Sequence, residues 1–267
     1  MLFRRLGMLA AALAAVPVLL TAAEPAVTAS ASARPASTVL SVTGAVADPA
    51  AYTLAGLRAL PDETVTLPGP AKVQVTGVSL DHLVMLAAPV LPAAKNALLR
   101  VVITASGWHG HQVSFALGEL DPGFGDHDAL IVVSVNGRPL TAGPALVVPG
   151  DQASVRDLLV VTRIRVGVAS PPVTTPPSPG ALVVQDGPRQ VVLTAATLAA
   201  LPAQTRTVTF LAGSGTQTHT EAGPALAIVL HAAHIPAGLN TWVAAVGSDG
   251  YIAAVTPAEA WPVAGRY

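Results

Sequence analysis

Two stretches decide the fold: YTLAGLRALP at Tyr52–Pro61 and LTAATLAALP at Leu193–Pro202. Each sets a threonine, Thr53 or Thr194, at the N-cap of a short apolar helix that a Leu-Pro pair then stops. Downstream of both, the same phrases recur in the same order, which marks an internal repeat. ETVTL from Glu63 and TRTVTF from Thr205 read as strands. Gly77 and Gly223 then open the helical phrases GVSLDHLVMLA and GPALAIVLHAA, whose leucine spacing gives one buried face. A strand and tight turn follow in each copy, RVVITASGWHGHQVSFALGEL from Arg100 and WVAAVGSDGYIAAVTPAEA from Trp242. This register sets Glu119 opposite Glu259 and His109-Gly110-His111 opposite Asp249-Gly250-Tyr251.

Turn and cap chemistry fits that alignment. Asp249-Gly250 between alternating runs predicts a type I′ hairpin. Thr256-Pro257-Ala258-Glu259 is a capping box with proline at the first helical position, where its missing N–H costs nothing. The first copy has Ala116 at the cap, so its helix start is weaker. It continues through ALIVVSV, an Asn136-Gly137 turn, GPALVVPGD (Gly143–Asp151) and a last strand, LVVTRIRVGV. The stretch corresponding to Ala129 through Val168 is missing from the second copy, which is expected to be either truncated or naturally short; in both cases strands that would close its sheet are lacking, and an open strand edge invites pairing. Between the copies, SPPVTTPPSPG (Ser170–Gly180) is an extended connector. The expected layout is a signal peptide and flexible leader over 1–38, a first copy over 39–168, a Pro-rich linker over 169–180 and an incomplete second copy over 181–267.

The leader carries Arg4 and Arg5, an apolar run from Leu6 to Leu20 and small residues around Ala23 and Ala31, the pattern of a cleaved signal peptide. No cysteine follows the run to take a lipid, and the surroundings of the Arg pair favour general secretion over twin-arginine export. The expectation is a bacterial protein, secreted or held in the cell envelope, with no membrane span after the signal is removed. The chain has 267 residues, 52% apolar and 11% charged, a formal net charge of -1 and no cysteine. Cysteine-based disulfides, zinc sites, iron–sulfur clusters and nucleophiles are thereby excluded. The near-zero charge argues against a nucleic-acid partner. Nucleotide loops and the G-x-S-x-G elbow are absent as well.

The phrases VTGAVADPAAYTLAGLRALP, TGVSLDHLV, SDGY with Glu259 beyond it, NGRPL, GPALVVPGD and VRDL together resemble the oxidoreductase molybdopterin-binding domain family, the fold of sulfite oxidase and its relatives. The resemblance implies an α+β fold of mixed small β-sheets with packed helices, here duplicated. It also implies molybdenum held by a cysteine thiolate in the catalytic members, and this chain has no thiolate. Where the family's GPLRLVVPGD phrase often has arginine, this chain has Ala145. Arg156 and Asp157 match the VRD phrase and read as partners of one another or of the surface.

Histidine is the residue type left with chemical interest. His109 and His111, at i and i+2 of an extended turn, could present two imidazoles to one metal. The Asp126-His127-Asp128 loop would add His127. The competing reading is a solvated turn, with Trp108 as rim packing. His231 and His234 suit the negative end of a helix dipole. The functional expectation is a binding or interaction module without redox chemistry, its partner an unknown small molecule or envelope protein and no cofactor expected. The alternative is a molybdopterin-dependent oxidoreductase with an atypical metal ligand.

Overall fold

The structure, a computed structural model, describes residues 39–151, 154–172, 177–212, 215–236 and 238–260. The leader and residues 173–176 of the connector lie outside this range. The first half forms β1 (Leu40–Gly44), β2 (Ala50–Tyr52), β3 (Glu63–Thr66), β4 (Gln74–Ser79), β5 (Val101–Gly107), β6 (Gln112–Ala116), β7 (Leu130–Val135), β8 (Arg138–Pro139), β9 (Ala145–Val147) and β10 (Val161–Val168). One five-stranded sheet runs β2-β1-β10-β5-β6; the other runs β3-β4-β7-β8, with β9 also on β7. Short helices at Leu54–Arg58, Leu80–Leu86 and Leu117–Leu120 complete it. The fold is mixed α+β with small sheets and few helices.

Local chemistry explains the pieces. Thr53 Oγ1 accepts from the Gly56 N–H at 3.0 Å, and Thr194 Oγ1 from the Thr197 N–H at 3.1 Å, so both threonine caps form as the sequence predicts. Asn136 and Gly137 take φ of 49° and 71° between the paired residues Val135 and Arg138, as a type I′ turn requires. Leu130–Val133 is buried on both faces, because Ile131 and Val133 turn into the main core while Leu130 and Val132 pack with Val75 and Val147 in a second cluster. The main core joins Leu40, Ile103, Phe115, Ile131, Leu146 and Ile164, drawn from both sheets.

Two expectations are corrected. Gly77 does not open a helix: it lies in β4, where a Cβ would stand 2.5 Å from the Ile131 carbonyl oxygen, and the helix begins at Leu80. Gly223 likewise closes a strand, and its helix begins at Leu226. In each copy the apolar run was long enough to serve a strand end and a helix together.

The second half forms β11 (Leu182–Asp186), β12 (Arg189–Leu193), β13 (Ala203–Ala212), β14 (Gly215–Pro224), β15 (Val243–Val246) and β16 (Ile252–Val255), as three two-stranded sheets. Helices lie at Ala195–Ala199, Leu226–Ala232 and Pro257–Ala260. The β15–β16 ladder pairs Val243 with Val255, as β5–β6 pairs Ile103 with Phe115. Both loops are closed by the same bond, Gly247 N–H to the Tyr251 carbonyl and Gly107 N–H to the His111 carbonyl, each 2.8 Å. The expected two-residue turn at Asp249-Gly250 is therefore a longer loop: the ladder ends at Val246 and Ile252. Asp249 takes the Tyr251 N–H on its carboxylate at 3.0 Å instead of adopting positive φ. Among the described residues β14 pairs with β13 alone, whereas β4 is paired on both sides.

The halves meet where β16 packs beside residues 97–100, the Leu117–Leu120 helix and β6. Among the described residues the outer edge of β6 is used once, where the Ser114 N–H donates to the Leu239 carbonyl at 2.7 Å. Val102 and Ala116 pack on Ala254 of β16. Asn96 Nδ2 donates to the Tyr251 hydroxyl at 3.2 Å.

Candidate functional site

The most concentrated polar chemistry among the described residues lies inside this junction. GPALVVPGD and VRDL fold onto one another: Leu146 and Leu158 exchange backbone hydrogen bonds at 2.9 Å, and the Val148 N–H donates to Asp157 Oδ1 at 2.9 Å. That clasp delivers Asp151 and Arg156 to the interior. Arg156 is fully buried. Its Nε and Nη2 fork onto Asp151 at 2.8 Å and 2.7 Å. Its Nη1 stands 2.6 Å from Glu119 Oε1 as a charge contact without hydrogen-bond angles. The guanidinium also lies 4.6 Å over the Phe115 ring. The expected surface pairing of Arg156 with Asp157 is thus corrected: Asp157 caps a backbone N–H, and Arg156 neutralises carboxylates that come from other elements.

His127 closes the far side. Its Nε2 lies 3.2 Å from Asp151 Oδ1 and 3.4 Å from Arg156 Nη2, an arrangement in which the carboxylate takes the ring N–H. Gly150 leaves room for the ring, since a Cβ there would lie 2.8 Å from His127 Cε1. Burial raises Asp151, but hydrogen bonds from Arg156 and His127 outweigh it and hold the carboxyl below the ordinary range. Burial pushes Glu119 up against the lowering effect of Arg156 and His127.

The second half adds two residues. Glu259 reaches back to the Thr256 N–H, the carboxylate half of the capping box. The Thr256 hydroxyl donates to Glu119 Oε2 at 3.5 Å. Burial and then the Glu119 charge push the Glu259 carboxyl up to about 7. Sequence register paired Glu119 with Glu259 as equivalents; the fold also places them as neighbours, an acid pair that spacing alone did not reveal.

The histidines separate. His109 and His111 are exposed on the β5–β6 loop, where His109 takes φ of 61° in a single 3₁₀ turn and leaves the extended geometry that would align the two rings. His127 belongs to the buried cluster. Among the described residues no group of three or more His, Cys, Asp or Glu side chains is arranged to hold a metal ion. Trp108 is 65% exposed beside His109. His231 is in the last turn of its helix, and the His234 carbonyl accepts from Arg189 Nη1 at 3.2 Å.

No family model and no curated protein matches the chain. Among solved structures, the sulfane dehydrogenase SoxCD from Paracoccus pantotrophus is similar, with a TM-score of 0.37 and 20% identity over 48% of this chain. The match spans 37% of the length of that chain. The likeness is distant and concerns part of a fold.

The donor set at the polar centre does not fit a molybdopterin. The chain has no thiolate to hold the metal. The one guanidinium at the centre already faces two carboxylates, where a phosphate-bearing cofactor needs donors turned toward it. Among the described residues no helix is long and apolar enough to cross a membrane.

Proposed function

We propose that this chain is an exported binding or interaction module without redox chemistry. On this reading it consists of two units of the sulfite-oxidase type, over 39–168 and 181–267. Its partner is a small molecule or an envelope protein. The observation that carries the reading is the closed state of the Arg156 cluster: Asp151, Glu119 and His127 surround the guanidinium, and Thr256 with Glu259 covers Glu119 from the other half. Charges that a catalyst would aim at a ligand are paired with one another inside the first half here, and the second half covers them through the Thr256 hydroxyl. The matched ladders and loop bonds of β5–β6 and β15–β16 support duplication. The basic pair and apolar run of the leader support export.

Elemental analysis of protein exported by its native host, with fluorescence detection of oxidised pterin, tests the proposal. The expected result is no stoichiometric molybdenum and no pterin. One molybdenum per chain, with electron transfer to an acceptor, would overturn it.

A further inference from the structure

We propose that the cleft between the outer face of the first five-stranded sheet and Trp242 binds a small amphiphilic anion, an apolar or aromatic body carrying one carboxylate or sulfonate. Arg165 takes the anionic group and Trp242 the apolar body. The inference deepens the binding-module reading and rests on it.

Strand β10 turns Ile164, Val166 and Val168 into the core, so Arg163, Arg165 and Gly167 face outward. In register, Arg165 lies between Thr43 of β1 and Thr104 of β5, and Gly167 lies beside Val102. Arg165 therefore stands between two hydroxyl side chains with an apolar, side-chain-free step next to it. The cleft measures about 430 Å³, and its lining includes Val102, Thr104, Arg165, Gly167 and Trp242. That volume lies in the range of small-ligand sites. No carboxylate is among the lining residues. Arg165 is exposed and makes no hydrogen bond or ion pair among the described residues. Trp242 is 42% exposed.

Each part of the ligand follows from a contact. A guanidinium without a partner favours a planar oxyanion it can grip with two N–H groups. A half-exposed indole favours a flat apolar body, which it covers by stacking. Gly167 is the gap that admits that body. A Cβ there would meet nothing nearer than the Val102 carbonyl oxygen at 3.9 Å, and the residue is not in the left-handed region. A side chain can therefore be placed in the cleft without straining the backbone.

The test is a fluorescence titration of the full mature chain with 1-anilinonaphthalene-8-sulfonate, alongside the uncharged N-phenyl-1-naphthylamine. Saturable binding of about one sulfonate per chain is expected, about tenfold tighter than the uncharged probe. Arg165→Ala is expected to remove most of that difference, and Gly167→Leu to abolish binding of both probes while the thermal melt stays in place. Trp242→Ala, at a partly exposed position, is expected to weaken both probes and gives a second reading should Gly167→Leu fail to fold. Equal sulfonate affinity in wild type, Arg165→Ala and Trp242→Ala would overturn the inference, as would an absence of saturable binding. Neither outcome bears on molybdenum content, so failure here is distinguishable from failure of the binding-module reading.

Discussion

Glu119 and Glu259 are joined through Thr256, whose backbone N–H goes to Glu259 and whose hydroxyl goes to Glu119. One guanidinium, Arg156, serves this acid pair and Asp151 together, so full ionisation would leave excess negative charge in a buried space. The fold resolves this by retaining a proton on Glu259, whose carboxyl sits at about 7.

Stability should therefore fall as pH rises through that window. Glu259 has an ordinary value of 4.5, and the folded protein holds its proton until about pH 7. Between those limits the folded state binds more protons than the unfolded state, so each step up in pH favours unfolding, and above about 7 the full cost is present. Glu259→Gln keeps an acceptor for the Thr256 N–H and removes the titration. Its unfolding free energy, from urea titration, should fall less than that of wild type between about pH 5 and about pH 8 and exceed wild type at the upper end, by on the order of 2–3 kcal/mol. Parallel curves for the two proteins would refute the assignment. Asp151 acts in the opposite sense: its carboxyl is held low, so the stability it contributes is lost only in strong acid.

Arg156→Met should be severely destabilising, because it leaves Glu119 and Asp151 buried without their cation. Loss of one partner from such a cluster costs about 3–5 kcal/mol. Removing the acids at the same time, as Arg156→Met with Glu119→Gln and Asp151→Asn, should recover a large part of that loss, since the groups act as one unit. Chemical denaturation of wild type, Arg156→Met, Glu119→Gln with Asp151→Asn, and the triple variant measures the coupling; additive losses would mean that the charges are not paired.

How much of this was legible beforehand divides by range. Thr53, Thr194 and the Asn136-Gly137 turn are local devices, and each forms as read because a cap or turn is satisfied within a few residues. The two helices start later than their glycines predict because an apolar run can serve a strand end and a helix start alike, and in the first copy only the approach of Ile131 to Gly77 decides between them. Arg156 reads as a surface charge for a similar reason. Its partners Glu119 and His127 are distant in sequence, and no periodicity announces a buried cation. The available signal is the repeat register, which singles out Glu119 and Glu259 without saying that they share Thr256 as a partner.

His109 and His111 should prove dispensable to metal content and fold. Both rings are exposed, and His109 occupies a left-handed position that asparagine tolerates. His109→Asn with His111→Gln should shift stability by no more than about 0.5 kcal/mol. Zinc titration followed by calorimetry should give the same weak heats in both proteins. A tight zinc site lost in the double variant would support the metal reading of this turn.

Cutting the chain within the connector should expose a surface that the second half now covers. Val102 and Ala116 would lose Ala254, the Ser114 N–H would lose the Leu239 carbonyl, and Glu119 would lose Thr256 and Glu259. The β6 edge would then offer an unpaired strand beside a small apolar patch, the arrangement that promotes edge-to-edge association. A fragment of residues 39–168 should elute as a monomer only at low concentration and self-associate as concentration rises, by size-exclusion chromatography with light scattering. Adding residues 177–267 as a separate chain should suppress that association if the junction recognises its own second half. A fragment that stays monomeric at high concentration, with the thermal melt of the full chain, would show that the junction contributes little and that β6 needs no cover.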